Sequence, residues 1–175
     1  MDQLTLDRIN TAHPIIRDRL LAAYTEANNK LGKGVRLRFS WVYRFPEEQH
    51  LLFKQTPKVT DADAWQSIHN YGLAFDIVLL YDNDGNGTFE AASLNTTRDG
   101  DGDGVADWLE VTKVFEKAGF KNGFLRNGKK WDLPHFQMDF GNKWRDLKAI
   151  IDCGNVIEEM INGKKYIYPK LEIAA

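Results

Sequence analysis

Ser67-Ile68-His69-Asn70-Tyr71-Gly72-Leu73-Ala74-Phe75-Asp76 is the stretch on which the fold turns, and Asp132-Leu133-Pro134-His135 answers it further along the chain. The apolar run 73–80 reads as a strand buried on both faces, with Asp76 its one charged residue. Gly72 permits a sharp turn between His69 and that strand. A carboxylate set among Phe75, Ile77 and Val78 is costly to bury without a partner, and a metal ion supplies one. A catalytic zinc takes three ligands from His, Asp or Glu and leaves a fourth position for water. His69, Asp76 and His135, the last from a neighbouring strand, form such a set. Asp132 then puts a second carboxylate near the same point, where a general base belongs. Taken singly, a histidine is more often structural and Asp132 more often a turn residue before Pro134; only the joint pattern argues for a site. His13 and His50 keep the structural reading.

Working outward, residues 5–31 read as helical with an interruption at His13-Pro14, and Gly32 and Gly34 end the segment. Residues 35–40 alternate apolar and polar as a strand with one buried face, and Pro46 opens a short helix over 47–54. A helix is expected over 108–117, closed by Gly119. A Gly/Asn/Lys-rich hairpin-like stretch precedes Trp131. A strand over 135–140 and a helix over 143–151 follow. The tail, 155–175, carries Tyr166-Ile167-Tyr168 after the turn Asn162-Gly163, which suggests a terminal hairpin that either packs on the domain or touches a partner. Helices and strands mix without regular βαβ alternation, so the class is α+β.

At 175 residues the chain makes one domain with a real core, and 43% hydrophobic with 27% charged residues is ordinary for a soluble globular protein. A net charge of -2 gives no reason to expect nucleic acid as partner. The single cysteine, Cys153, excludes an internal disulfide. No stretch is long and apolar enough to span a membrane, and MDQLTLDRIN has no signal-peptide core, so no export route of its own is expected; the chain is also expected to be a monomer.

The combination Ser-x-His-x-x-Gly-x-Ala-x-Asp (67–76) with Trp-Asp-x-Pro-His-Phe (131–136) resembles the zinc D-alanyl-D-alanine carboxypeptidase family, and within it the phage L-alanyl-D-glutamate endopeptidases. Arg44 and Gln49 in Arg-Phe-Pro-Glu-Glu-Gln, and Arg8 with His13-Pro14, extend the resemblance across residues 5–152. It implies a small α+β fold shared with the hedgehog signalling domain, zinc on His69, Asp76 and His135, and Asp132 as general acid/base. Arg44 would sit against the substrate carbonyl or carboxylate, with Gln49 and Ser67 also at the substrate. Ser67 is an orienting hydrogen-bonder rather than a nucleophile, because no base is placed to activate it. The chain departs from the pattern at Trp65, where relatives often carry Gly.

The segment 82–110 is a separate matter. Asp99, Asp101, Asp103, the Val105 carbonyl, Asp107 and Glu110 match a twelve-residue calcium loop at positions 1, 3, 5, 7, 9 and 12, with Gly104 at the turn position. A helix leaves this loop and none enters it, making half of an EF-hand-like unit. Asp82, Asp84, Asn86, Thr88 and Glu90 reproduce the first half of the pattern, but Ser93 stands where the bidentate Glu belongs. The insertion follows closely on Asp76, so calcium is expected to stabilise or switch the zinc site.

Together these readings point to bacterial peptidoglycan as partner and to a phage lysis enzyme made in the host cytoplasm and released to the wall. A carboxypeptidase trimming terminal D-alanine shares the chemistry, and a calcium-dependent wall-binding module without catalysis is the rival from another class.

Overall fold

The chain, described here by a computed structural model over residues 1–126 and 129–172, begins with two helices. These are α1 (Gln3–Ile9) and α2 (Pro14–Lys30). Asp2 caps α1 by accepting from the Thr5 amide, and His13 caps α2 by accepting from Ile15. Pro14, at the first helical position, therefore separates two helices rather than bending one. Strand β1 (Val35–Trp41), helix α3 (Pro46–Lys54), strand β2 (Ala74–Tyr81) and the short β3 (Ala91–Ser93) follow. Then come α4 (Asp107–Lys117), β4 (Lys121–Arg126), β5 (Lys129–Gln137), α5 (Trp144–Asp152), β6 (Val156–Ile161) and β7 (Lys164–Pro169).

The main sheet runs β1-β2-β5-β4, with β3 also paired to β2, and its pairings are antiparallel. Alternation along β2 sorts the side chains. Phe75, Ile77, Leu79 and Tyr81 join the core built with Ile16, Leu20 and Phe115 of the helices. Phe75 stacks on Phe39 at 4.7 Å and on Phe136 at 5.3 Å, and meets Phe115 edge-on at 4.8 Å. Asp76 therefore belongs to the opposite parity, the sheet face turned away from that aromatic core.

Strand β5 departs from the expected span, 135–140: it starts at Lys129, because it forms a hairpin with β4, and ends at Gln137. Phe140 (φ 52) and Gly141 (φ 83) then take left-handed backbone and turn the chain away. Residues 127 and 128 of the Gly/Asn/Lys-rich hairpin-like stretch lie outside the described residues. The β4–β5 register jumps from Asn122↔Phe136 to Phe124↔Trp131, so residues 132–135 form an extended bulge, and Asp132 within it has φ 54.

The tail is part of the body. Asn162 (φ 49) and Gly163 (φ 77) both have positive φ, as a type I′ turn between β6 and β7 requires. Tyr168 is fully buried, and its hydroxyl donates to the Thr11 carbonyl at 3.1 Å. Tyr43, Tyr166 and Tyr168 form a small cluster beside Arg44. A Cβ on Gly72 would lie 2.7 Å from the His13 amide and 3.0 Å from the Tyr168 ring, so only glycine fits where helix, tail and site meet. Among the described residues no helix is long and apolar enough to cross a membrane.

Replacing Tyr168 with Ala should cost about 3–5 kcal/mol of stability, the usual loss for deleting a buried aromatic ring. Urea denaturation checks this, and a loss below about 1 kcal/mol would show the hairpin to be an appendage.

Candidate metal centre

Three local devices bring the site together. The β2–β5 ladder pairs Asp76 directly with His135. His69 sits in a 3-10 turn, Ile68–Tyr71, capped by Ser67, whose hydroxyl accepts from the His69 amide, and closed by Gly72 at φ 68. That turn holds Arg44: the Arg44 amide donates to the His69 carbonyl, and the Asn70 side-chain Nδ2 donates to the Arg44 carbonyl.

His69 Nε2, His135 Nδ1 and Asp76 Oδ1 form a near-equilateral triangle with sides of 3.2, 3.2 and 3.0 Å. A tetrahedral zinc with bonds of about 2.0–2.1 Å needs ligand–ligand edges of about 3.3 Å, so the donor set fits. The outer nitrogens assign the tautomers. His69 Nδ1 donates to the Val42 carbonyl at 2.8 Å, and His135 Nε2 donates to Gln137 Oε1 at 2.9 Å. Both imidazoles thus turn a lone pair toward a carboxylate oxygen, an arrangement that calls for positive charge at its centre. The titration directions carry the same demand. Burial would raise Asp76, but the two imidazoles outweigh it and hold the carboxyl well below the usual carboxylate range. Burial pushes His69 down. Burial acts the same way on His135, yet its hydrogen bonds to Asp76 and Gln137 and the Asp76 charge prevail and push it up.

The other expected residues surround this triangle in different roles. Arg44 lies on the groove wall, donating to Asp76 Oδ2 at 3.3 Å and to Gln49 Oε1 at 2.9 Å, with Trp41 under its guanidinium. Gln49, expected to touch substrate, is corrected: it is fully buried, clamped between Arg44 and the Ala62 carbonyl, and does not line the groove. Ser67 lines the groove while capping the His69 turn. Asp132 is exposed at the groove, and among the described residues its carboxylate makes no hydrogen bond. Burial of its inner side raises its proton affinity, aided by Asp76 and opposed by His135, His69 and Arg44. His13 and His50 are structural, held by the Pro169 carbonyl and by Asp63.

The groove encloses about 670 Å³, with Trp41, Trp131, Trp144, Lys143 and Arg145 among its lining. Sequence reasoning missed a supporting chain behind His135. Gln137 Nε2 donates to Asp139 at 2.5 Å, and Lys121 donates to the other oxygen of Asp139 at 2.7 Å. The available signal was parity, since Gln137 lies two residues from His135 and shares its sheet face. Trp65 adopts φ 64, the left-handed conformation glycine favours, which accounts for glycine at this place in the pattern.

In the insertion, Asp99, Asp101 and Asp107 come within 4.8 Å of one another, as do Asp101, Asp103 and Glu110, and Asp82, Asp84 and Glu90.

A family profile described as D-alanyl-D-alanine carboxypeptidase matches residues 60–138, the segment holding the triangle and Asp132. The chain is also similar to the peptidoglycan L-alanyl-D-glutamate endopeptidase CwlK of Bacillus subtilis (strain 168), at 35% identity over 132 residues that cover 72% of each chain.

Cobalt titration should give one equivalent with a tetrahedral absorption band, and His135→Ala should abolish it. Gln137→Ala should weaken zinc binding about 10–100-fold, the usual effect of removing the partner that orients a ligand histidine. Unchanged affinity would remove Gln137 from the centre.

Proposed function

This chain belongs to the D-alanyl-D-alanine carboxypeptidase family of metallopeptidases, and we propose that it is a zinc endopeptidase cutting the L-alanyl-D-glutamate bond of the peptidoglycan stem peptide. One observation carries the proposal: a three-donor triangle of zinc dimensions opens onto a groove where an unencumbered carboxylate, Asp132, stands ready. The family's zinc dependence supports the metal, and the relative's activity supports the choice of bond over the trimming of terminal D-alanine.

Zinc, when bound by His69, Asp76 and His135, supplies Lewis acidity toward the scissile carbonyl and acidifies the attacking water. Asp132 accepts the water proton and returns it to the leaving amine, and its raised proton affinity suits both halves of that task. Arg44, fixed by Gln49 and Asp76, points its charge at the oxygen that becomes negative. A wall-binding module without catalysis gives no use for the bulge that delivers Asp132 to the groove.

The same proposal extends to host-cell lysis by a phage enzyme made in the host cytoplasm and released to the wall. Calcium belongs to it as a modulating ion seated in the loop 99–110.

Asp132→Asn should retain zinc and wall binding while abolishing clearing of outer-membrane-stripped cells; surviving lysis would defeat the mechanism. Arg44→Ala should lower kcat about 100–1,000-fold with metal content kept. Mass spectrometry of the digest decides the bond: new N-terminal D-glutamate supports the proposal, and released D-alanine alone replaces it with carboxypeptidase action.

A further inference from the structure

The acidic loop 99–110 contains more than a pattern of carboxylates. Asp107 is fully buried, and its Oδ1 has no hydrogen-bond partner. Glu110 Oε2 is likewise buried and unpartnered. Asp101 belongs to both close carboxylate groups, so Asp99, Asp101, Asp103, Asp107 and Glu110 surround one region. Two buried oxygens with unused lone pairs among three further carboxylates lack one thing, a cation. The all-oxygen set selects a hard ion, and its crowding of acidic groups with a Glu in the twelfth position suits calcium's six to eight ligands better than magnesium's hydrated octahedron.

The remaining oxygen of Asp107 shows what such an ion would hold. Asp107 Oδ2 accepts from the Tyr81 hydroxyl at 2.8 Å and from the Gly100 amide at 2.9 Å. Tyr81 is the last residue of β2, the strand that carries Asp76. Asp101 Oδ2 accepts from the Gly32 amide at 2.7 Å, tying the loop to the turn that leads into β1. A Cβ on Gly100 would lie 2.5 Å from the Tyr81 ring, so the loop is pressed directly against the strand end. Arg98 covers the same ring at 3.5 Å. The loop 82–90 is different: its carboxylates are exposed or half-exposed, and among the described residues none is a buried oxygen without a partner.

We propose that the loop 99–110 binds one calcium ion and that, through the Asp107–Tyr81 hydrogen bond, calcium fixes the far end of the strand presenting Asp76 to the zinc site. The binding site stands independently of the peptidase reading; its consequence for catalysis rests on that reading.

The full chain, freed of calcium and loaded with zinc, provides the test. Terbium luminescence excited through Trp108 and Tyr81, displaced by calcium, should report one site per chain. Glu110→Gln should weaken calcium at least about 10-fold by removing a charge and a bidentate ligand, with zinc content unchanged. Calcium should slow amide exchange at Leu79, Leu80 and Tyr81. Tyr81→Phe should still bind calcium but lose that slowing, together with any calcium response of wall hydrolysis. No terbium or calcium binding at millimolar concentration overturns the site. Binding without a change in β2 exchange overturns the coupling. Should calcium binding and slowed exchange persist in a chain that digests no wall, the calcium proposal holds and the peptidase reading falls.

Discussion

Three lone pairs converging on one point are the constraint from which the rest of this structure follows. His69 Nε2, His135 Nδ1 and Asp76 Oδ1 sit 3.0–3.2 Å apart, and the outer nitrogens of both imidazoles are occupied by the Val42 carbonyl and by Gln137. Such an arrangement is repulsive unless a cation or proton occupies it, and an isolated turn could not sustain it. The fold sustains it by spending rigid elements on every corner. An antiparallel ladder places Asp76 opposite His135. A capped 3-10 turn, locked by the glycine against which Tyr168 packs, aims His69. The aromatic stack of Phe39, Phe75, Phe115 and Phe136 holds the sheet's other face, so neither strand can roll.

That division of the sheet into two faces explains why chemistry and packing do not compete. Phe75 and Phe136 immediately neighbour Asp76 and His135 in sequence, yet they point away from them. A one-residue slip of either strand would bury the ligands in the core and expose the phenylalanines, so the core enforces the register that the metal site needs. Asp132 escapes this alternation because the bulge over 132–135 breaks it. Left-handed backbone at Asp132 costs about 1–2 kcal/mol in a non-glycine residue, a strain confined to the place where a carboxylate must leave the strand and face the groove.

Local signals were legible in the sequence wherever one residue type had one physical use. The clustering of His69, Asp76 and His135, the Asn-Gly turn of the tail and the helix start at Pro14 are of that kind. What escaped depended on long-range partners. Gln49 carries a polar side chain in a matched motif, and nothing local shows that Arg44 and the Ala62 carbonyl consume it. The chain Gln137–Asp139–Lys121 needs the β4–β5 pairing before it exists. The start of β5 was missed because Asp132 and Pro134 read as turn residues; in the fold they occupy a bulge inside a strand. The tail's place was undecidable from its own residues, since its partners, His13, Thr11 and Tyr43, lie at the other end of the chain.

The two donor clusters, along β2 and beyond it, also differ in the kind of ion each would suit. Near Asp76 the donors are two nitrogens and one oxygen, almost enclosed, with geometry set by strands. Beyond Tyr81 the donors are all oxygens on a loop. Imidazole-rich tetrahedral geometry is poor for calcium, and a crowded carboxylate loop is poor for discriminating transition metals but good for a hard ion of large radius. The ion each cluster would favour therefore follows from where the histidines are and are not. Because Tyr81 belongs to β2 and also bonds Asp107, the strand is the mechanical link that the two regions share.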